Sequence, residues 1–109
     1  MTMAEKVLAR AAGRSEVRAG EYVTGHVDKV MCHEAFTLCG ITLARLGVER
    51  LADPDSVYVI LDHFFPAPTE RHAQGHKIAR ELVERYGVRN FLGHAGICHQ
   101  VLTERGFIA

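Results

Sequence analysis

Two short motifs in the 109-residue chain carry side chains suited to proton transfer. Asp62 and His63 directly follow the apolar run at residues 57–61, and His99 lies in the glycine-containing stretch at residues 96–100. A carboxylate beside an imidazole can tune the pKa and the tautomer of the ring for acid–base chemistry. Both motifs also have plainer interpretations: Asp62 could cap a turn, and His99 could be incidental to a loop that glycine loosens.

The elements around these motifs favour the functional interpretation. Residues 57–61 are rich in β-branched side chains and continuously apolar, which predicts a strand buried on both faces, and residues 88–92 predict a second short strand. A long helix is predicted over 69–86, so the order strand, helix, strand indicates a βαβ unit with a parallel or mixed sheet. Open α/β sheets bind ligands beyond the carboxyl ends of their strands. We therefore expect His63 and His99 to face one crevice.

The remaining elements complete an α/β fold with flanking helices in one domain, residues 1–109. Thr2 and Glu5 form a capping box that starts a first helix, which Gly13 ends. Residues 21–31 alternate and predict an extended segment crossing into the core. A helix is predicted from about residue 34 to Gly47, a turn at 53–56, and a short helix at 99–102.

The other histidines give weaker signals. His72 and His76 have the i, i+4 spacing of zinc-binding helices, but residue 73 is alanine instead of a glutamate and no third ligand is evident, so a solvated polar face is the preferred interpretation. Three more are interpreted as structural or surface residues unless the fold brings them together: His26, His33 and His94. No residue of the chain is assigned as a metal ligand.

Composition excludes several classes of function. Thirteen basic and 13 acidic residues give a net charge of zero, which argues against nucleic acid or an anionic membrane surface as a partner. The apolar runs are too short to span a bilayer, and the N-terminus lacks an apolar signal core, so a cytoplasmic location is expected. The three cysteines lack CxxC spacing and predict reduced thiols without a zinc or iron–sulfur site: Cys32, Cys39 and Cys98.

Four stretches, in order and over nearly the whole chain, resemble the large subunits of the aconitase family, of the kind found in 3-isopropylmalate dehydratase, homoaconitase and 2,3-dimethylmalate dehydratase. They are residues 2–13, residues 18–28, the Asp-His and Pro-Ala-Pro stretch at 61–68, and the Gly-Ile-Cys-His-Gln stretch at 96–106. The resemblance implies that the predicted sheet is part of an aconitase-like α/β/α domain.

The resemblance also implies an activity, that of a hydro-lyase acting on a hydroxy-di- or tricarboxylate such as isopropylmalate. In the family a 4Fe–4S cluster held by three cysteines acts as a Lewis acid on the substrate hydroxyl. Asp62 and His63 match the family's pair near the leaving hydroxyl, which implies His63 as the proton donor. His99 matches a histidine that supports the hydroxyl-handling network.

The chain departs from the family pattern at several places. The substrate-contacting glutamine is absent from residues 33–40, and neither the family's Asp-Ser-His motif nor its three ligand cysteines are matched. We therefore expect the N-terminal segment of a large subunit that binds no cluster by itself. It would be inactive without the remainder of that subunit and a small, swivel-domain subunit. The alternatives are a stand-alone binding module and a small histidine-based metal-binding protein.

Overall fold

A computed structural model describes residues 1–108; Ala109, the last residue of the predicted domain, lies outside the described part. Four helices and three strands alternate along the chain after the first helix. The helices are α1 (Met3–Ala11), α2 (Phe36–Arg45), α3 (Glu70–Arg85) and α4 (Cys98–Glu104), and the strands are β1 (Val30–Cys32), β2 (Val57–Ile60) and β3 (Asn90–Gly93). A single 3₁₀ turn, Pro54–Ser56, leads into β2.

The three strands form a parallel sheet in the order β1-β2-β3, so the predicted α/β class with parallel neighbouring strands is confirmed. Every residue of the central strand β2 is buried. Successive side chains of a strand point to opposite faces. Val57 and Val59 accordingly pack with α2 and α3 on one face, while Tyr58 and Ile60 pack with α4 on the other. This layering explains the unbroken apolar run that predicted β2.

Helix α3 shows how local sequence sets the element boundaries. Thr69 caps its N-terminus by accepting a hydrogen bond from the His72 N–H. At the other end Gly87 takes a positive φ of 66°, a conformation that favours glycine, and the Val88 N–H donates to the Val83 carbonyl at 3.0 Å. Because Val88 serves the helix cap, β3 begins at Asn90, two residues later than predicted.

The segment before β1 corrects another prediction. Of the predicted extended segment, only the part that falls within β1, residues 30–32, pairs with β2. Tyr22 is fully exposed, so residues 21–29 do not cross into the core as an extended strand. Helix α2 likewise begins at Phe36 and not at residue 34. The Glu34 side chain instead bonds the backbone of the loop after β2.

Helix α1 has the predicted capping box: the Thr2 N–H donates to Glu5 Oε2 at 2.6 Å, and the Glu5 N–H donates to Thr2 Oγ1 at 3.2 Å. Its apolar side chains are mostly exposed, and Ala9 alone is buried. None of the helices within residues 1–108 has the length and apolar character needed to cross a bilayer.

Candidate functional site

Asp62 and His63 lie just past the carboxyl end of β2. The Asp62 carboxylate bridges two groups: Oδ1 is 2.7 Å from His63 Nδ1, and Oδ2 accepts a hydrogen bond of 2.6 Å from the Cys98 N–H. Since β3 runs parallel to β2, the loop after β3 returns to the same edge of the sheet and brings Cys98 there. The carboxylate thus fixes the His63 ring while it ties the two motifs together.

Glu34, just past the end of β1, is the second acid of the site. Its side chain is buried, and its two oxygens accept hydrogen bonds from the backbone N–H groups of His63 at 3.2 Å and Phe64 at 3.1 Å. A buried carboxylate needs such partners, because desolvation of an unpaired charge is costly. Glu34 therefore fixes the backbone of the loop that carries His63.

Three histidines surround Glu34. The rings of His33 and His63 are stacked, with centroids 3.8 Å apart and planes 15° apart. His33 Nδ1 is 3.5 Å from Glu34 Oε2, and His76 Nε2 approaches Glu34 Oε1 at 3.4 Å from the α3 side. His76 is only 5% exposed, so the expectation of a solvated polar face on α3 is wrong for this residue. It is right only in part for His72, which is half-buried against the Phe64 ring.

A fourth histidine, His94, supports the loop after β2 from the β3 side. Its Nδ1 is 3.0 Å from the Leu61 carbonyl, its Nε2 is 3.2 Å from Arg80 Nη2, and its ring stacks on Phe65 at 3.8 Å. Of the three histidines interpreted as structural or surface residues unless the fold brought them together, His33 and His94 both contact the loop after β2. His26 remains at the exposed surface, 3.5 Å from Asp28.

His99 is placed differently from the pair at residues 62 and 63. It is exposed in the first turn of α4, and its Nδ1 lies 3.3 Å from Cys98 Sγ. Within residues 1–108 no hydrogen bond or ring stacking joins His99 to His63. The two predicted motifs meet instead through Asp62 and the backbone of Cys98.

An open cavity of about 470 Å³ lies beside the His33 ring. His33, Glu34, Phe64 and His72 line it, together with Arg71 from the first turn of α3. The arginine adds a permanent positive charge to a cavity that also holds titratable imidazoles. Its volume is enough for a small carboxylate, and an arginine is the side chain best suited to pair with one.

The hydrogen bonds set the charge states of the site. Burial alone would raise the pKa of Asp62, but hydrogen bonds from Cys98 and His63 outweigh it and hold that pKa below its usual value. The bond to Asp62 raises the pKa of His63, against a smaller opposing effect of desolvation. For Glu34 burial is again outweighed, here by backbone N–H donors that include Phe64 and His63, and the pKa is lowered. The site thus combines two carboxylates with an imidazole that favours its protonated form.

Glu34 and His76 were missed because of errors in element boundaries and burial. The extended segment was predicted to stop at Met31, whereas β1 continues to Cys32. With that boundary, His33 and Glu34 follow the carboxyl end of β1 much as Asp62 and His63 follow that of β2, and polar residues past a strand end are a signal of a ligand site. His76 precedes Ala79 by three residues on a buried face of α3, and that spacing could have indicated its burial.

Two of the three cysteines lie on opposite faces of the sheet. Cys32 packs with the side chains between the sheet and α2 and α3, and Cys98 is buried on the opposite face against α4. Three thiolates of one cluster must converge on a single point, which these positions cannot do. Burial also raises the pKa of Cys32 to about 11 and that of Cys98 above its usual value, against the thiolate form that ligation needs.

Known proteins resemble this chain over nearly its whole length. It is 43% identical to a probable 3-isopropylmalate dehydratase large subunit of Methanothermobacter thermautotrophicus, over 99% of this chain and 26% of that protein. It is 44% identical to 3-isopropylmalate dehydratase large subunit 1 of Methanopyrus kandleri, over 98% of this chain and 26% of the relative. A probable methanogen homoaconitase large subunit of M. thermautotrophicus is 40% identical, over 99% of this chain and 27% of that protein. No family model matches the chain.

The parallel sheet places the chain among open α/β proteins, with an aspartate and a histidine in contact just past the central strand. By sequence it belongs to the family of 3-isopropylmalate dehydratase and homoaconitase large subunits. The chain spans about a quarter of the length of the relatives it matches.

Proposed function

We propose that this chain supplies part of the active site of an aconitase-family hydro-lyase, which removes water from a hydroxy-di- or tricarboxylate such as isopropylmalate. The observation that carries the proposal is the 2.7 Å contact between Asp62 Oδ1 and His63 Nδ1 at the end of β2. A hydroxyl leaves readily only when it is protonated, so the reaction needs a positioned acid. His63 is the proton donor, and Asp62 orients the ring and favours its charged form.

The surrounding residues support this role for His63. The Cys98 N–H anchors the Asp62 carboxylate, and Glu34 holds the backbone of the catalytic loop. Arg71 lines the adjacent cavity and is suited to a substrate carboxylate. His99 lies in the first turn of α4, next to the anchor at Cys98, and supports the network that handles the hydroxyl, as the family resemblance implies.

The complete enzyme needs more than this chain under the proposal. Its 4Fe–4S cluster is held by residues that the chain does not supply, and a remainder of the large subunit and a small subunit complete the substrate site. The chain alone is therefore inactive. Its partners are these polypeptides and a small carboxylate, and they include no nucleic acid or membrane. The proposed location is the cytoplasm. The stand-alone binding module is the weaker alternative, since the relatives reported above carry dehydratase or homoaconitase names.

The test supplies the missing parts. The chain is co-expressed with the remaining large-subunit sequence and the small subunit of a 3-isopropylmalate dehydratase, and dehydration of isopropylmalate is followed. We expect activity from the complete set, none from the chain alone, and a fall in kcat of about 100- to 10,000-fold for His63→Ala, because general acid catalysis contributes on that order. Asp62→Asn should lower kcat as well.

His26→Ala is the matched control, because this exposed histidine lies apart from the site. It should leave kcat unchanged. A complemented His63→Ala enzyme with wild-type kcat would show that His63 is not the proton donor.

A further inference from the structure

The Leu61 carbonyl, one residue past β2, takes its hydrogen bond from a side chain. Leu61 is fully buried, and its N–H donates to the Gly93 carbonyl at 2.8 Å. A continuing parallel ladder would pair its carbonyl with the backbone of β3 as well, but β3 ends at Gly93, where a positive φ of 55° turns the chain out of the strand. A buried carbonyl needs a donor, and the imidazole of His94 supplies it, with Nδ1 3.0 Å from the oxygen.

The partners of the His94 ring determine which nitrogen carries the proton. A carbonyl oxygen only accepts hydrogen bonds, and a guanidinium only donates them. The Leu61 carbonyl therefore requires a proton on Nδ1, and Arg80, whose Nη2 is 3.2 Å from Nε2, requires a lone pair on Nε2. A proton on both nitrogens would set two donors and two positive charges against each other. The two contacts together thus select the neutral ring with its proton on Nδ1.

His94 also touches the far end of the loop after β2, residues 62–65. The Phe65 ring is stacked on the imidazole, with centroids 3.8 Å apart and planes 19° apart. His94 thus holds the residue just before Asp62 by a hydrogen bond and the last residue of the loop by ring contact. Glu34 holds the middle of the loop from the β1 side, so the loop is fixed at its middle and at both ends.

We propose that His94 is a positioning residue for the dehydration, acting through the Leu61 carbonyl that leads into the Asp62–His63 pair. Arg80 keeps the ring in the tautomer that this role requires. The inference rests on the proposed function for its effect on catalysis, whereas the tautomer and its effect on His63 are properties of this chain alone. His94 does not line the cavity proposed for the substrate, so we expect it to act on the position of the pair and not on substrate binding.

The first measurement is the tautomer of His94 in the wild-type chain. With ¹⁵N-labelled histidine, long-range ¹H–¹⁵N correlation spectra distinguish a protonated ring nitrogen from one with a free lone pair. The ring is observed at about pH 8, where an ordinary imidazole is neutral. We expect the proton on Nδ1. A proton on Nε2 instead would overturn the proposal, because Nδ1 would then face the Leu61 carbonyl with a lone pair.

Two variants separate the hydrogen bond from the ring contact. The amide N–H of an asparagine can take the place of the imidazole Nδ1–H, whereas a phenylalanine keeps a ring against Phe65 and has no donor. In the chain alone, His94→Phe should lower the titration midpoint of His63 towards about 6.5, because a displaced loop loosens the contact with Asp62 that raises it. His94→Asn should keep that midpoint close to its wild-type value.

The same variants in the complemented enzyme measure the effect on catalysis. His94→Phe should lower kcat about 10- to 100-fold with little change in KM, since a misplacement of about 1 Å costs on the order of 100-fold. His94→Asn should restore most of kcat. His26→Phe is the matched control, because that histidine is exposed and lies apart from the loop, and it should change neither kcat nor the His63 midpoint.

The outcomes separate this inference from the proposed function. A His94→Phe protein with wild-type kcat and a wild-type His63 midpoint would overturn the positioning role. Equal losses in His94→Asn and His94→Phe, both shown to be folded by circular dichroism, would overturn it too. A complemented wild type that dehydrates nothing would contradict the proposed function, while the tautomer and the His63 midpoint would still decide whether His94 fixes the loop.

Discussion

At the scale of single residues, the site depends on how two carboxylates are paired. Asp62 bonds one ring nitrogen and one backbone N–H, whereas Glu34 bonds two backbone N–H groups. The first arrangement favours the charged form of His63, and the second fixes the loop around it. The acids are therefore not interchangeable: Asp62 acts on the charge of the imidazole, and Glu34 acts on its position.

The charge pair predicts a pH dependence that NMR can measure. The pKa of His63 is raised and that of Asp62 is lowered. The stabilisation from His63 is present below its unfolded pKa of about 6.5 and is lost as pH rises through its folded pKa, while that from Asp62 is present above about 3.9 and is lost as pH falls through its folded pKa. Both contributions are complete between about pH 4 and pH 6.5.

We expect the ring protons of His63 to titrate with a midpoint above about 6.5, and Asp62→Asn to lower that midpoint. Asp53→Asn serves as the control, because Asp53 caps the turn before β2 at the opposite end of the strand. A midpoint that is unchanged in Asp62→Asn would show that the carboxylate does not set the charge of the ring.

At the scale of elements, α2 and α3 pack closely at one glycine. A Cβ atom on Gly40 would lie 2.4 Å from Leu82 Cδ1 and 2.7 Å from Cδ2, closer than such atoms approach. Glu34 lies two residues before α2, and His76 lies within α3, 3.4 Å from the Glu34 carboxylate. The separation of the two helices at Gly40 therefore bears on the distance between those two side chains.

This contact predicts that Gly40→Ala changes the free energy of unfolding in opposite directions with and without the Leu82 side chain. Gly40→Ala should destabilise the wild type, because overpacking costs about 1–3 kcal/mol and exceeds the gain in helix propensity. In a Leu82→Ala background the same change should stabilise by about 0.5–1 kcal/mol, the usual advantage of alanine over glycine in a helix. Urea unfolding of the four proteins measures both values.

Gly75→Ala is the matched control within α3, since a Cβ there meets nothing within 4 Å. It should stabilise the wild type by about 0.5–1 kcal/mol. Equal effects of Gly40→Ala and Gly75→Ala in the wild type would contradict the close approach of α2 to Leu82.

At the scale of the whole molecule, the chain is wider than a compact domain of its size. Its radius of gyration is 16.2 Å, against about 13 Å expected for 109 residues. Large apolar side chains are exposed on two helices: Met3, Val7 and Leu8 on α1, and Leu38 and Ile41 on α2. Such surfaces on a folded chain are typical of contacts with other polypeptide, in agreement with the proposed need for further parts.

The distribution of cysteines predicts the outcome of cluster reconstitution on this chain. Incubation with ferrous iron and sulfide under reducing conditions should yield no 4Fe–4S absorbance, because Cys32 and Cys98 lie on opposite faces of the sheet. Visible absorption and iron analysis after gel filtration are the measurements. A stoichiometric cluster that Cys98→Ala removes would show that the cysteines can converge after all.

The sequence by itself determined the class of fold and the position of its central strand. The unbroken apolar run at 57–61 indicated a strand buried on both sides, and caps at Thr69 and Gly87 bounded α3 closely, because these signals act over a few neighbouring residues. The motif around Asp62 and His63 was equally visible, since its residues are adjacent and follow that strand.

The tertiary structure alone decided which side chains share the site. Glu34 contacts a loop about 30 residues further along the chain. His76 approaches Glu34 from α3, whose polar residues had predicted a solvated face. Burial and long-range pairing depend on how the sheet stacks against α2 and α3, and no local pattern records that. For the same reason the sequence could not decide how the rings of His63 and His99 are arranged: parallel strands bring their ends to one edge, but only packing decides where each ring points.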